Sequence, residues 1–238
     1  MKHILLFSLF MLSGLFCCKS PEGDLIYCSY SKSGAAGLGK DYCELVADAD
    51  SAAKVVVALN VGNRFEDPEV HAEYPVDKAV VDSLAKMLRE KEVCRLAGYN
   101  LDEAITGGYS YRIYMEYASG EKINARWYGH NVKEEAWSAY HMIERFFDPW
   151  REKALKEAAL EATVQRISEM ETLFDRVQKA LRSKKSYPEL DEELETLRRY
   201  MDSGQWKSDF EADERGLLPP GLKRGVLSED GLYNLLSE

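Results

Sequence analysis

The chain has 238 residues, 45% hydrophobic and 30% charged, and carries a net charge of −10 at pH 7. That composition can build packed cores and excludes a disordered polymer. Both halves are acidic, so a phosphate-backbone partner lacks its electrostatic footprint and no nucleic acid is expected.

The first element is a leader. Met1 to Phe16 reads "MKHILLFSLFMLSGLF", a short positive start at Lys2 followed by an apolar run from Ile4. The run is shorter than the ~20 residues that span a bilayer and has the order of a secretory signal. An ordinary cleavage site fits badly. A cut after Ser20 leaves Pro21 next, and a cut after Gly14 puts Leu12 where a small residue belongs. The adjacent cysteines solve this, because "LFCC" resembles a bacterial lipobox. Residues 1–17 then form the signal peptide, with Cys18 as the lipid acceptor and Cys17 as the alternative. The bulky Phe16 departs from the usual pattern. Diacylglycerol on the thiol makes a durable anchor at ~0.8 kcal/mol per buried CH₂. The expected address is the periplasmic or extracellular face of the bacterial cell envelope, with the membrane as partner through the N-terminal lipid. A plain signal peptide, or an uncleaved apolar start on a cytoplasmic protein, is the competing reading.

Residues 24–150 read as an α+β domain. "DLIYCSYS", "DYCELVADAD" and "AKVVVALNV" are predicted strands, and "GNRFEDPEV" breaks the pattern. A helix is predicted over "PVDKAVVDSLAKMLREKEVCRL", with Pro75 in its first turn and Val76, Val80, Leu84, Met87 and Leu88 as its stripe. "YSYRIYMEYASGEKINARWYG" is a hairpin. A three-residue loop, Ala118–Ser119–Gly120, pairs Tyr111 with Trp127, Ile113 with Ala125 and Met115 with Ile123, which places all six on one face. A second helix is predicted from Asn131, with Glu134 completing a capping box and Val132, Ala136, Tyr140, Ile143, Phe147 and Trp150 as its stripe. The order is βββαββα, a mostly antiparallel sheet with helices on one face. Three cysteines follow the leader, Cys28, Cys43 and Cys94, too few for a four-cysteine zinc site. Cys28 and Cys43 flank a Gly-rich turn, so either a disulfide or two buried thiols fits an exported chain.

Residues 151–238 read as a separate all-α domain. "DPW" is predicted to end the first domain, with Asp148 as cap and Pro149 opening a new helix that runs to about Ser183. Its stripe is Leu160, Ile167, Met170, Phe174, Val177 and Leu181. Leu190, Leu194, Leu197 and Met201 face it from an antiparallel partner helix that ends at Gly204. Trp206 and Phe210 pin a short third helix, "LLPPGL" is extended, and Ser228 caps a last helix. The stretches "QRISEMETLFDRVQKAL", "LETLRRYMDSGQWKSDFEADERGLLP" and "LKRGVLSEDGLYNLL" resemble the bacterial domain of unknown function family 4298, from about Gln165 to Leu236. "RYMDSGQW" departs from the family pattern. The resemblance implies a small helical domain and no known activity, so it carries no functional residues with it.

Candidate chemistry is sparse. His130, Glu134 and His141 lie near the start of the second helix, where a zinc or acid–base site can be imagined, but HExxH is absent. His71 between Glu69 and Glu73 falls in a predicted loop. No nucleophile elbow, phosphate loop or dinucleotide fingerprint is present. No catalytic residue, metal or cofactor is therefore assigned. Trp206, Asp209 and Tyr233 are the candidates for contact with a protein partner; the competing reading is a buried anchor and helix caps. The expected function is that of an envelope lipoprotein acting as a membrane-tethered binding or structural module. The alternative is an envelope hydrolase using the His and Glu residues of the first domain.

Overall fold

The computed structural model describes residues 21–34, 39–47, 52–60, 69–101, 108–129, 132–184 and 188–237. Cys17, Cys18, His130 and Asn131 lie outside the described residues. The architecture is α+β, and the chain divides into two compact units, Met1–Arg151 and Glu152–Glu238.

Among the described residues the first unit is built on a sheet of seven strands: β1 (Leu25–Ser33), β2 (Asp41–Ala47), β3 (Ala53–Asn60), β4 (Glu69–Val76), β5 (Asn100–Leu101), β6 (Ser110–Tyr117) and β7 (Lys122–Tyr128). Their spatial order is β4-β3-β2-β1-β6-β7-β5. Every neighbouring pair is antiparallel except the short β5 against β7. Strict alternation shapes the β6–β7 hairpin, where Tyr111, Ile113, Met115, Ile123, Ala125 and Trp127 are buried and their neighbours are not, whereas β3 buries Val55 to Leu59 without a break. Those buried residues pair as the apolar pattern predicts, and Gly120 takes the left-handed conformation at φ 86°.

Two helices cover this apolar face. α1 (Lys78–Glu90) buries Val81, Leu84, Ala85 and Leu88. α2 (Glu134–Arg182) begins in this unit and buries Ala136, Ala139, Tyr140, Ile143 and Phe147. Its aromatic side chains meet those of the sheet: Tyr140 stands edge-on to Tyr30 at 5.4 Å and to Tyr111 at 5.2 Å, and Trp137 edge-on to Trp127 at 5.8 Å. Such pairs add ~0.5–1.5 kcal/mol beyond burial.

Several expectations are corrected. "EVHAEYPV" is strand β4, with His71 opposite Ala58 and Glu73 bonded to Lys54 at 2.9 Å, and Pro75 lies in that strand rather than in a helix. Pro75 is tolerated because β4 is an edge strand, where a missing N–H costs no ladder bond. The order is therefore ββββαβββα, and the α1 stripe runs through Val81 instead of Val80. Cys28 and Cys43 are buried free thiols. Cys28 pairs with Leu45 and Cys43 with Tyr30, an offset of two residues that removes the direct opposition a cross-strand disulfide uses. Pro149 does not open a helix; it lies inside α2, on an exposed position, and the helix continues through it.

The second unit holds the rest of α2 with α3 (Leu190–Asp202), α4 (Gln205–Glu214) and α5 (Glu229–Ser237). Ile167, Phe174, Val177, Leu197, Tyr200, Val226, Leu232 and Leu235 form its core. Leu160 is exposed and takes no part. Ser228 caps α5 by accepting the Gly231 N–H at 3.2 Å. "LLPPGL" is a turn and not an extended segment: the Leu222 N–H donates to the Pro219 carbonyl at 3.1 Å, and Arg224 donates to the carbonyls of Pro219, Pro220 and Leu222.

Candidate interaction face

The strand alternation that buries one face of the sheet sends Tyr27, Ser29, Ser31 and Ser33 of β1 to the other. Ser110, Arg112, Tyr114 and Glu116 of β6, and Lys122, Asn124, Arg126 and Tyr128 of β7, join them. The register sets these side chains in rows: Ser29–Tyr114–Asn124, Ser31–Arg112–Arg126 and Ser33–Ser110–Tyr128. Arg112, Asn124 and Arg126 are exposed, and the tyrosines are half-buried between their neighbours.

The rings are braced. Tyr27 and Tyr114 meet edge to face at 5.6 Å. The Tyr27 hydroxyl donates to Glu44 at 2.5 Å, and burial, then the Glu44 carboxylate, pushes its pKa up to about 12. The Arg112 guanidinium lies over Tyr114 at 5.1 Å and donates through Nε to Asn124 Oδ1 at 2.9 Å. Arg126 lies over Tyr128 at 4.9 Å and donates to its hydroxyl. Ordered aromatic rings and planar cations of this kind lose little entropy when a partner covers them.

The residues singled out from sequence fall elsewhere. Glu134 is exposed in the first turn of α2. His141 stacks on Trp137 at 5.2 Å and bonds to Glu144 at 3.0 Å. Seven residues of helix separate Glu134 and His141 by ~10 Å along the axis, so they do not form one site. His71 points from the edge strand into solvent. Among the described residues no group of three or more His, Cys, Asp or Glu is arranged to hold a metal ion. Two hollows lie beside Ala53: one of about 180 Å³, lined partly by Leu25, Lys78 and Val81, and one of about 370 Å³, lined also by Val46, Ala47, Ala52 and Lys54. The larger is within the size range of ligand pockets, but its lining is apolar apart from Lys54, which is bonded to Glu73, so it lacks the convergent polar groups that orient a ligand.

In the second unit Asp209 is 1% exposed. It accepts from Arg166 at 2.9 and 2.5 Å and from the Tyr200 hydroxyl at 2.8 Å. Burial and that bond push the Tyr200 pKa up, and the same carboxylate raises that of Arg166. Trp206 stacks on Phe210 at 5.3 Å and donates to the Val226 carbonyl at 3.0 Å. Both residues tie the unit together, so of the three contact candidates Tyr233, 62% exposed, is the one on the surface. Glu171, 4% exposed, accepts the Val226 N–H at 2.6 Å, and Lys223 approaches it at 3.3 Å.

The tyrosine and arginine face was missed in sequence, although its signal is present. The register chosen for the apolar partners already sets Arg112 opposite Arg126. No helix among the described residues is long and apolar enough to cross a membrane. A search of curated proteins found no match for the chain. Residues 165–238 match the model of a domain of unknown function (DUF4298), the family that the C-terminal motifs resemble.

Proposed function

We propose that this chain is a lipid-anchored binding module of the bacterial cell envelope, tethered through Cys18, or alternatively Cys17, and engaging a protein partner through the open face of its sheet. The observation that carries the binding role is that face: Tyr27, Tyr114, Tyr128, Arg112, Asn124 and Arg126 stand on strands whose opposite side is sealed by α1 and α2. Tyrosine and arginine are enriched where proteins meet, because they bring contact area and directional bonds on few rotatable bonds. The "LFCC" run supports the tether.

Two measurements test this reading. Metabolic labelling with a palmitate analogue should mark the wild type and not Cys18→Ser; undiminished label would sink the anchor. A photo-crosslinking amino acid placed at Asn124 in living cells should give a discrete adduct that the same probe at Lys86, on α1, does not. Equal adducts from both positions, or none from Asn124, would remove the binding role from this face.

A further inference from the structure

Arg112 and Arg126 stand directly opposite each other on adjacent antiparallel strands. Like charges in that position repel and cost stability. A carboxylate beside them would relieve the repulsion, yet the three rows that surround the pair on β1, β6 and β7 hold only serine, tyrosine and asparagine. The nearest acid on these strands, Glu116, is engaged by Lys122 at 3.2 Å and by the Tyr114 hydroxyl at 3.1 Å. Among the described residues neither guanidinium pairs with a carboxylate. A chain of net charge −10 thus keeps a doubly positive patch on its open face.

We infer that Arg112 and Arg126 form a carboxylate-binding site on this face, and that the partner is an acidic polypeptide segment laid across β6 and β7. This rests on the binding role proposed above and adds the partner's chemistry. A guanidinium fork donates two parallel bonds to a carboxylate. Each fork is braced by a ring, Arg112 over Tyr114 and Arg126 over Tyr128. Ser31, in the row of the two arginines, offers a hydroxyl to an adjacent backbone, while Ser33 and Ser110 bond to each other at 2.7 Å. A lipid surface fits less well, since it selects flexible lysines beside apolar side chains that enter the acyl region. Two arginines are also too few for a nucleic-acid backbone.

The test uses the soluble chain without its leader and a fluorescein-labelled peptide of alternating glutamate and threonine, read by fluorescence anisotropy. Binding should be saturable, weaken with added salt, and fall about tenfold in Arg126→Gln. It should be lost in the Arg112→Gln, Arg126→Gln pair and be absent for a glutamine–threonine peptide. The melting temperature of Arg126→Gln should equal or exceed that of the wild type, because the substitution removes a repulsion. A lower melting temperature would make the arginine structural and overturn the assignment. So would peptide binding that survives the double variant, no binding at all, preferred binding to phosphatidylglycerol vesicles, or competition by inorganic phosphate as strong as the peptide's. Crosslinked adducts from Asn124 without acidic-peptide binding would keep the binding face and reject the carboxylate site.

Discussion

At the scale of single residues, burial decides what the two sheet thiols do. Cys28 has no exposed surface, and its pKa is pushed up by burial to about 12. Cys43 is raised to about 11, burial outweighing the bond donated by the Tyr30 hydroxyl at 3.5 Å. The thiolate is the reactive form and needs access. Iodoacetamide at pH 8 should therefore leave Cys28 and Cys43 unmodified in the folded protein and label both after denaturation, as read by peptide mass spectrometry. Rapid labelling of the native chain would show that this core opens. The pKa shifts also set the alkaline limit. Each folded thiol has a pKa above its unfolded value of about 9, so its contribution to stability is complete below that pH. The contribution is lost as pH rises through 11 to 12. Tyr27 and Tyr117, both raised to about 12, act in the same direction above pH 10. The urea midpoint should accordingly fall above pH 9.

At the scale of elements, what was legible depended on whether one local rule governed. The β6–β7 hairpin obeyed a single rule: six apolar residues needed one face, and only a three-residue loop supplied it. Gly120 closes that loop at φ 86° with no atom within 4 Å of where a Cβ would sit. Gly120→Ala should thus cost ~1 kcal/mol or somewhat more through backbone strain alone, measurable as a lower denaturant midpoint with an unchanged slope. No change would mean that the loop relaxes into another turn. Two rules conflicted elsewhere. "EVHAEYPV" reads as a loop around His71 that runs into a helix at Pro75, because charges and proline are depleted from strands, but an edge strand admits both. Pro149 looked like a helix start because the first turn is proline's usual place, but α2 absorbs it on an exposed side. The contact face was harder for a different reason. Arg112, Arg126 and Tyr114 are scattered among apolar residues in sequence, and only strand pairing makes them neighbours.

At the scale of the whole molecule, each unit has its own reason to fold. The core of the second unit is drawn from residues between Ile167 and Leu235, and its polar ties are internal to it: Arg166 and Tyr200 to Asp209, Glu171 to Val226, Arg224 to Asp213. Even its glycine at 225 has a local cause, since a Cβ there would lie 2.6 Å from Glu171 Oε1. A fragment from Glu152 to Glu238 should therefore fold and melt cooperatively by itself. Within that fragment α5 is a docked element and not a free ligand. Leu232 is fully buried and Leu235 is 6% exposed, while Ser228 holds the first turn. Truncating a buried leucine removes transfer energy and leaves a cavity, at a cost of ~2–5 kcal/mol. Losing an N-cap costs ~1 kcal/mol. Small domains are stable by only ~5–15 kcal/mol, so Leu235→Ala should lower the melting temperature of the fragment by many degrees and Ser228→Ala by a few. Tyr233→Ala, on the exposed side of the same helix, should leave the melt where it is. Differential scanning calorimetry of the fragment and the three variants gives all four values. A broad, aggregating transition in the wild-type fragment would show that the helices depend on the sheet unit. An unchanged melt in Leu235→Ala would show that α5 is not part of the core.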